Sequence, residues 1–155
     1  MIEQAFADAG LRYFSNKSGA NLLTGIIAVF AQHSTLSGKC PYTHALIECD
    51  EAAFRRTSEY LPVECLVVNN IFRDQLDRCG EIDRVQDAII SGLEHSPEST
   101  LIYNADDPLC AIIAEKVENK TIAFGVSEDM HLAQNTVADA QMCQRCSGMF
   151  TYDYR

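Results

Sequence analysis

ECLVVNNIFRDQLDRCGEID, residues 64–83, joins a short apolar run to a densely charged segment. The run ECLVVNN (64–70) predicts a buried β-strand, because it is short, rich in valine and bounded by polar residues. The following stretch, 70–83, holds three aspartates, two arginines and a glutamate. A helix built for packing would instead carry an apolar residue every three or four positions. The segment therefore indicates a ligand-facing role at the end of a strand.

The same order of strand and polar turn recurs along the chain. Strands are predicted at THALIECD (43–50), at the start of STLIYNADDP (99–108) and at KTIAFGVS (120–127), with helices such as RVQDAIISGLEH (84–95) between them. Helices are also predicted at 2–10 and 20–33. Strands that are apolar on both faces and alternate with helices predict an α/β fold, a parallel sheet covered by helices on both sides.

Composition narrows the class of protein. The 155 residues suffice for one domain, and no apolar run approaches the roughly 18 residues that cross a bilayer. A formal charge of −10, with twelve scattered Lys and Arg, argues against nucleic acid as a partner. The seven cysteines are odd in number, and MIEQAFADAG is not a signal peptide. These features predict free thiols in a reducing cytoplasm.

Polar groups follow three of the predicted strands at their carboxyl ends. In a parallel sheet those ends meet the helix amino termini in one crevice, where ligands bind. Singly, each group is better explained as a helix cap or a solvated strand end, but three clusters together suit Mg²⁺ and a nucleotide. The three clusters are Glu48, Asp50 and Glu51; Asn70, Arg73, Asp74 and Asp77; and Asn104, Asp106 and Asp107.

Two further patterns bear on ligands. No GxxxxGK[ST] phosphate-binding loop occurs in the chain. The tail contains CQRCSG, in which Cys143 and Cys146 have the spacing of a zinc knuckle. A closed zinc site needs four ligands, so this pattern indicates half of a zinc ribbon. His131 is near in sequence, but a surface histidine is the better interpretation.

Five motifs, in this order and at these separations, carry a resemblance to a known family. They are NKSGANLLTG, ALIECDEA, NNIFRDQLDRCGEID, LIYNADDPL and CQRCSGMFTYDY. Over roughly residues 12–155 the chain resembles the Mur-ligase-like (MurT-type) subunit of lipid II isoglutaminyl synthase. The most specific motif is NIFRDQLDR-x-GEID, because related amide ligases usually carry a histidine where this chain has Gln75.

The resemblance implies an ATP-dependent carbon–nitrogen ligase of peptidoglycan synthesis. A ligase of this family activates the α-carboxyl of D-glutamate in the lipid II stem peptide, and a separate GatD-type glutaminase subunit supplies ammonia. By motif, Glu48 becomes the magnesium ligand, Asn70, Arg73 and Asp74 shape the phosphate and metal region, and Asn104 with Asp107 forms the nucleotide pocket. Cys143 and Cys146 become half of a four-cysteine zinc ribbon. Cofactors implied are ATP, Mg²⁺ and Zn²⁺.

The family pattern also implies a division of the chain. Residues 1–127 correspond to a Mur ligase central domain without its phosphate loop, and residues 128–155 to a linker and the first half of a zinc ribbon. The family's loop is expected before Met1, and further cysteines after Arg155, so we expect an inactive fragment. Two alternatives stay open: another Mur-type or folylpolyglutamate-type ligase, and a non-catalytic α/β binding module.

Overall fold

The computed structural model describes residues 2–16, 19–71, 82–126, 143 and 146–150. Helices and strands alternate through these ranges, as the sequence predicts. In chain order they are α1 Ile2–Asp8, β1 Tyr13–Ser15, α2 Leu23–Gln32, β2 His44–Leu46, α3 Glu51–Ser58, β3 Cys65–Val68, α4 Ile82–Glu94, β4 Thr100–Asn104, α5 Pro108–Lys116 and β5 Lys120–Phe124.

All strand pairs in the described ranges are parallel, which confirms the predicted α/β class. The strands form two sheets instead of the single predicted one. The smaller sheet has the order β1–β2 and the larger the order β3–β4–β5. The strands are also shorter than predicted, since β2 ends at Leu46 and β3 at Val68.

The main core lies on one face of the larger sheet, under α3, α4 and α5. Val68 and Leu101 point into it from β3 and β4, and the buried stripe of α4 meets them as its helical spacing predicts. Phe54 of α3 packs there too, so α3 contributes to this core. The buried members are Phe54, Val68, Ile71, Val85, Ile89, Leu93, Leu101, Leu109, Cys110 and Ile113.

The opposite face of the larger sheet differs from the prediction, because it is not fully covered within the described residues. Val67, Ile102 and Ile122 are aligned across β3, β4 and β5 by the strand register. Val67 is 41% exposed and Ile122 is 45% exposed, and every residue of β5 is exposed. Strands that are apolar on both faces predict a layer of helices on each side of the sheet. The described helices form a layer on one side of the larger sheet.

The smaller sheet has a helix on each face. Phe6 of α1 meets the Tyr13 and His44 rings edge-on, each with centroids 5.6 Å apart. On the other face Phe14 meets Phe30 of α2, with centroids 5.0 Å apart. Adjacent residues of a strand point to opposite faces, so α1 and α2 lie on opposite sides of this sheet.

No helix in the described ranges has the length and apolar character to cross a bilayer. Most of the predicted linker and ribbon, 128–142 and 151–155, lies outside the described residues.

Candidate nucleotide and metal site

An amide pair marks the carboxyl ends of β3 and β4. The Asn104 side chain donates from Nδ2 to Oδ1 of Asn70 over 3.1 Å. Asn70 is exposed and Asn104 half-buried, so the pair lies at the rim of the sheet. This contact uses one hydrogen of the Asn104 amide nitrogen and none of the Asn70 nitrogen, so both nitrogens can still donate, and such groups are suited to reading the edge of a base. The structure therefore brings two of the predicted nucleotide-binding residues into direct contact.

Asp107 links the ends of β3 and β4 to α5. Its Oδ1 accepts from the Leu109 amide over 2.8 Å, which caps the amino terminus of α5, while Pro108 occupies the first turn. Its Oδ2 accepts from the Ile71 amide over 2.9 Å, so the same carboxylate holds the chain where it leaves β3. The contacts of Asp107 in this structure are those of a positioning residue, and a direct nucleotide contact stays a prediction.

Neighbouring polar groups stiffen the same rim. The Asp106 amide donates to Oδ1 of Asn104 over 3.0 Å, which fixes the orientation of the Asn104 side chain. The Asp106 carboxylate accepts from the Val126 amide over 2.8 Å. Gln86 of α4 is buried and donates to the Leu109 carbonyl over 2.9 Å. These contacts tie the ends of β4, β5, α4 and α5 together around the amide pair.

Glu48 lies just beyond β2, in the smaller sheet, and its side chain is exposed. Its backbone is held by Asn16, whose Oδ1 accepts from the Glu48 amide over 2.8 Å and whose Nδ2 donates to the Glu48 carbonyl over 2.7 Å. Asn16 is only 5% exposed. Sequence reasoning missed Asn16; the available signal was an asparagine directly after β1, at the start of the motif NKSGANLLTG.

Asp50 is the amino-terminal cap of α3. Its carboxylate accepts from the Ala52 amide over 3.0 Å and from the Ala53 amide over 3.2 Å. The structural interpretation of this aspartate is thus confirmed. Arg73, Asp74 and Asp77 lie outside the described residues, and their predicted roles stay predictions.

The carboxylate oxygens of Glu48 are of the kind that bind magnesium. Mg²⁺ prefers carboxylate oxygens and is commonly held by one or two of them, together with waters and substrate phosphates. In the described ranges no hydrogen bond or ion pair engages the Glu48 carboxylate, and no group of three or more His, Cys, Asp or Glu side chains is gathered for a metal. One exposed carboxylate of this kind suits a cation that arrives with a nucleotide.

Backbone hydrogen bonds join Cys143 of the predicted zinc knuckle to residues that follow Cys146. The Cys143 amide donates to the Gly148 carbonyl over 2.8 Å, and the Ser147 amide donates to the Cys143 carbonyl over 2.9 Å. The residue in the left-handed region is Ser147, with φ of 57°, and not Gly148. A Cβ at residue 148 would lie 3.3 Å from Sγ of Cys146, so Gly148 leaves room for that thiol. Zinc binding here stays a prediction.

Thiol chemistry does not explain the site. Burial, with a smaller effect of the neighbouring Asp107 carboxylate, raises the pKa of the Cys110 thiol far above its ordinary range. Burial likewise raises the pKa of Cys49, with Asp50 adding to the effect. Nucleophilic cysteines need a lowered pKa, so neither of these thiols is suited to act as a nucleophile.

Comparison with known proteins agrees with these features. The model of the Mur ligase middle domain family matches residues 16–152. Two lipid II isoglutaminyl synthase (glutamine-hydrolyzing) subunits named MurT are each 32% identical to the chain: that of Streptococcus pneumoniae over 142 residues, 90% of the chain, and that of Staphylococcus aureus strain COL over 146 residues, 93% of the chain. The chain spans about a third of these curated relatives, 31% and 32% of their lengths.

Proposed function

Because the chain belongs to the Mur ligase middle domain family, we propose that it is the nucleotide-binding part of an ATP-dependent amide ligase. The substrate is the α-carboxyl of D-glutamate in the lipid II stem peptide, and the product is the corresponding amide. The observation that carries the proposal is the contact of Asn70 with Asn104 at the rim of the larger sheet. The similarity to two MurT subunits supports this choice over another Mur-type or folylpolyglutamate-type ligase.

The reaction consists of two balanced steps. A carboxylate oxygen of the substrate attacks the γ-phosphorus of ATP, the bond to the β,γ-bridging oxygen breaks, and ADP leaves with an acyl phosphate formed. Ammonia then attacks the acyl carbon, loses a proton, and expels inorganic phosphate as the amide forms. Bound magnesium would neutralise charge on the phosphates during the first step.

The residues of this chain have distinct proposed roles in the first step. Asn70 and Asn104 face the adenine edge through their amides, and Asp107 holds both strand ends in place. The Glu48 carboxylate binds the magnesium ion, and Asn16 fixes the Glu48 backbone. Arg73 and Asp74 contribute to the phosphate and metal region.

The proposal includes partners and a compartment. A GatD-type glutaminase subunit delivers ammonia, and lipid II is met at the cytoplasmic surface of the membrane. Cys143 and Cys146 supply two of the four ligands of a zinc ribbon. Two thiolates do not close a tetrahedral zinc site, so further ligands must join them.

Titration with Mg-ATP, followed by amide chemical shifts, tests the nucleotide site. We expect shifts at the ends of β3 and β4, and a loss of affinity of roughly tenfold, or about 1.4 kcal/mol, in Asn104→Ala and Asn70→Ala. Gln32→Ala, an exposed change on α2, is the matched control and should bind as the unchanged chain does. Thermal unfolding of each variant separates lost binding from lost folding.

Binding of equal strength in all four proteins would contradict the assignment of the amide pair. Absence of any shift at these strand ends would instead favour the non-catalytic binding module.

A further inference from the structure

A buried glutamine interrupts the apolar stripe of α4. Gln86 is 1% exposed and shares the core-facing side of the helix with Val85 and Ile89. Helical spacing favours an apolar side chain at this position, because a polar group in a core must find hydrogen-bond partners to offset the loss of water. The presence of Gln86 in this stripe therefore requires an explanation other than packing.

The Gln86 side chain is hydrogen-bonded at one end in the described ranges. Its Nε2 donates over 2.9 Å to the carbonyl of Leu109, which lies in the first turn of α5. Its Oε1 accepts a hydrogen bond from no described residue. The reversed amide is unfavourable, since Oε1 would then face the Leu109 carbonyl and two acceptors would meet. Burial of an unpaired carbonyl costs stability, so stability alone does not favour a glutamine here.

Ser99 provides the comparison within the same domain. It is also 1% exposed, but its Oγ accepts from Nδ2 of Asn119 over 3.1 Å. It lies at the amino end of β4, opposite to the end that carries Asn104. Among the residues that the structure describes, Gln86 thus differs from such buried polar groups in having an atom without a partner.

The contact of Gln86 with Leu109 leads to the rim of the larger sheet through few bonds. The Leu109 amide is bound by Oδ1 of Asp107 over 2.8 Å, and Oδ2 of Asp107 binds the Ile71 amide over 2.9 Å. Ile71 directly follows Asn70 of the amide pair. The first turn of α5 is therefore fixed by Gln86 at a carbonyl and by Asp107 at an amide. A shift of this turn would move Asp107 and, with it, the chain that carries Asn70.

We propose that Gln86 is a positioning residue of the nucleotide site, which acts through Leu109 and Asp107 on the amide pair. A side chain of this kind supports the groups that contact the ligand without contacting it. The unpaired Oε1 accompanies the donor, since an apolar side chain of the same volume could not bind the Leu109 carbonyl. The inference rests on the proposed function, because the amide pair is assigned there to the adenine edge.

Gln86→Met separates positioning from folding. Methionine keeps the length of the side chain and removes both polar atoms, and the Leu109 carbonyl keeps the Ile113 amide as its helical partner. We expect a urea midpoint equal to or above that of the unchanged chain, because the unpaired buried carbonyl is gone. We expect roughly tenfold weaker binding of Mg-ATP by calorimetry, because the first turn of α5 has lost one of its two constraints.

Ser99→Ala is the matched control. It removes a buried polar group that has its partner and that lies far along β4 from the amide pair. The urea midpoint should therefore fall, whereas the affinity for Mg-ATP should equal that of the unchanged chain. Opposite outcomes in Gln86→Met and Ser99→Ala distinguish positioning of the site from a general loss of stability.

Amide hydrogen exchange without nucleotide tests the inference independently of the proposed function. In Gln86→Met the Ile71 amide, which Asp107 binds, should exchange roughly tenfold faster than in the unchanged chain. The Leu101 amide, in the central strand of the larger sheet, should exchange at the same rate in both. If the unchanged chain bound no Mg-ATP, the proposed function would fail, and the exchange of Ile71 would decide the positioning role by itself.

Four results would overturn the inference. Where the unchanged chain binds Mg-ATP, an equal affinity in Gln86→Met would show that nothing reaches the amide pair. Where it does not, equal exchange of Ile71 in the two proteins would show the same. A lower urea midpoint with exchange raised equally at Ile71 and Leu101 would assign Gln86 to folding. Failure of both Gln86→Met and Gln86→Leu to fold would lead to that assignment as well.

Discussion

At the scale of single residues, the sequence identifies the polar groups of the candidate site. It does not show which of them cap helices, which contact each other and which hold the backbone. Asp50 and Asp107 follow strands, and both cap the next helix, as strand-following aspartates commonly do. Asn70 and Asn104 are in contact although 34 residues separate them, as the predicted parallel sheet requires. The role of Asn16 depends on the pairing of β1 with β2 across about thirty residues. One sequence contains no direct signal for that pairing.

Asp107→Ala should destabilise the chain more than an ordinary cap substitution. The change removes the cap of α5 and also leaves the Ile71 amide without its acceptor. We expect a loss of about 2 kcal/mol in the free energy of unfolding, measured by urea denaturation. Asp50→Ala, which removes only a cap, should cost about 1 kcal/mol. Equal losses in the two variants would show that the contact with Ile71 contributes nothing.

At the scale of helices and strands, hydrophobic periodicity predicts the order of the elements correctly. It predicts less well where each element ends and which segment packs on each face of a sheet. The stripe of α4 is buried as its helical spacing predicts, whereas β5 is exposed throughout despite its apolar sequence. An apolar residue in a strand shows that a partner surface is favourable and does not identify the segment that supplies it. The predicted helix at 20–33 begins three residues later, at Leu23, and ends at Gln32; no side chain caps its amino terminus.

The packing of α3 on α4 depends on Gly92. A Cβ at this residue would lie 2.4 Å from Cδ1 of the buried Phe54 ring, so Gly92→Ala forces the ring or the helix to move. Although alanine favours helix by about 1 kcal/mol, overpacking should leave a net loss of about 1 to 2 kcal/mol in the free energy of unfolding.

The control for this prediction is the same change in a Phe54→Leu background. The smaller side chain leaves space for the new methyl group, so Gly92→Ala should then cost less than it does beside the phenylalanine. The double-mutant cycle is measured by urea denaturation. An identical cost in both backgrounds would show that the ring contact does not limit the approach of α3 to α4.

At the scale of the whole molecule, the sequence predicts the α/β class but not the division into two sheets. Alternating strands and helices define the layers. Which strands become neighbours depends on contacts between residues far apart in sequence. In the structure, Glu48 lies at the end of the smaller sheet and Asn104 at the end of the larger one. Glu48 follows β2 and Asn104 is the last residue of β4, so both lie at the carboxyl ends of strands, as predicted. The prediction that the polar clusters at the strand ends bind one magnesium–nucleotide ligand together also depends on Asp74. This residue lies outside the described residues.

Residues 1–155 should bind adenine nucleotides without hydrolysing ATP. The amide pair offers contacts to the base, whereas the sequence has no GxxxxGK[ST] loop whose backbone amides and lysine would hold the β- and γ-phosphates. We therefore expect the affinities for AMP and Mg-ATP to lie within roughly threefold of each other, since phosphates that make few contacts add little to the binding free energy. Phosphate release from Mg-ATP should equal that of a protein-free solution. Metal-dependent release, abolished in Glu48→Gln and preserved in the exposed control Gln32→Ala, would mean that this chain holds the phosphates by another set of groups.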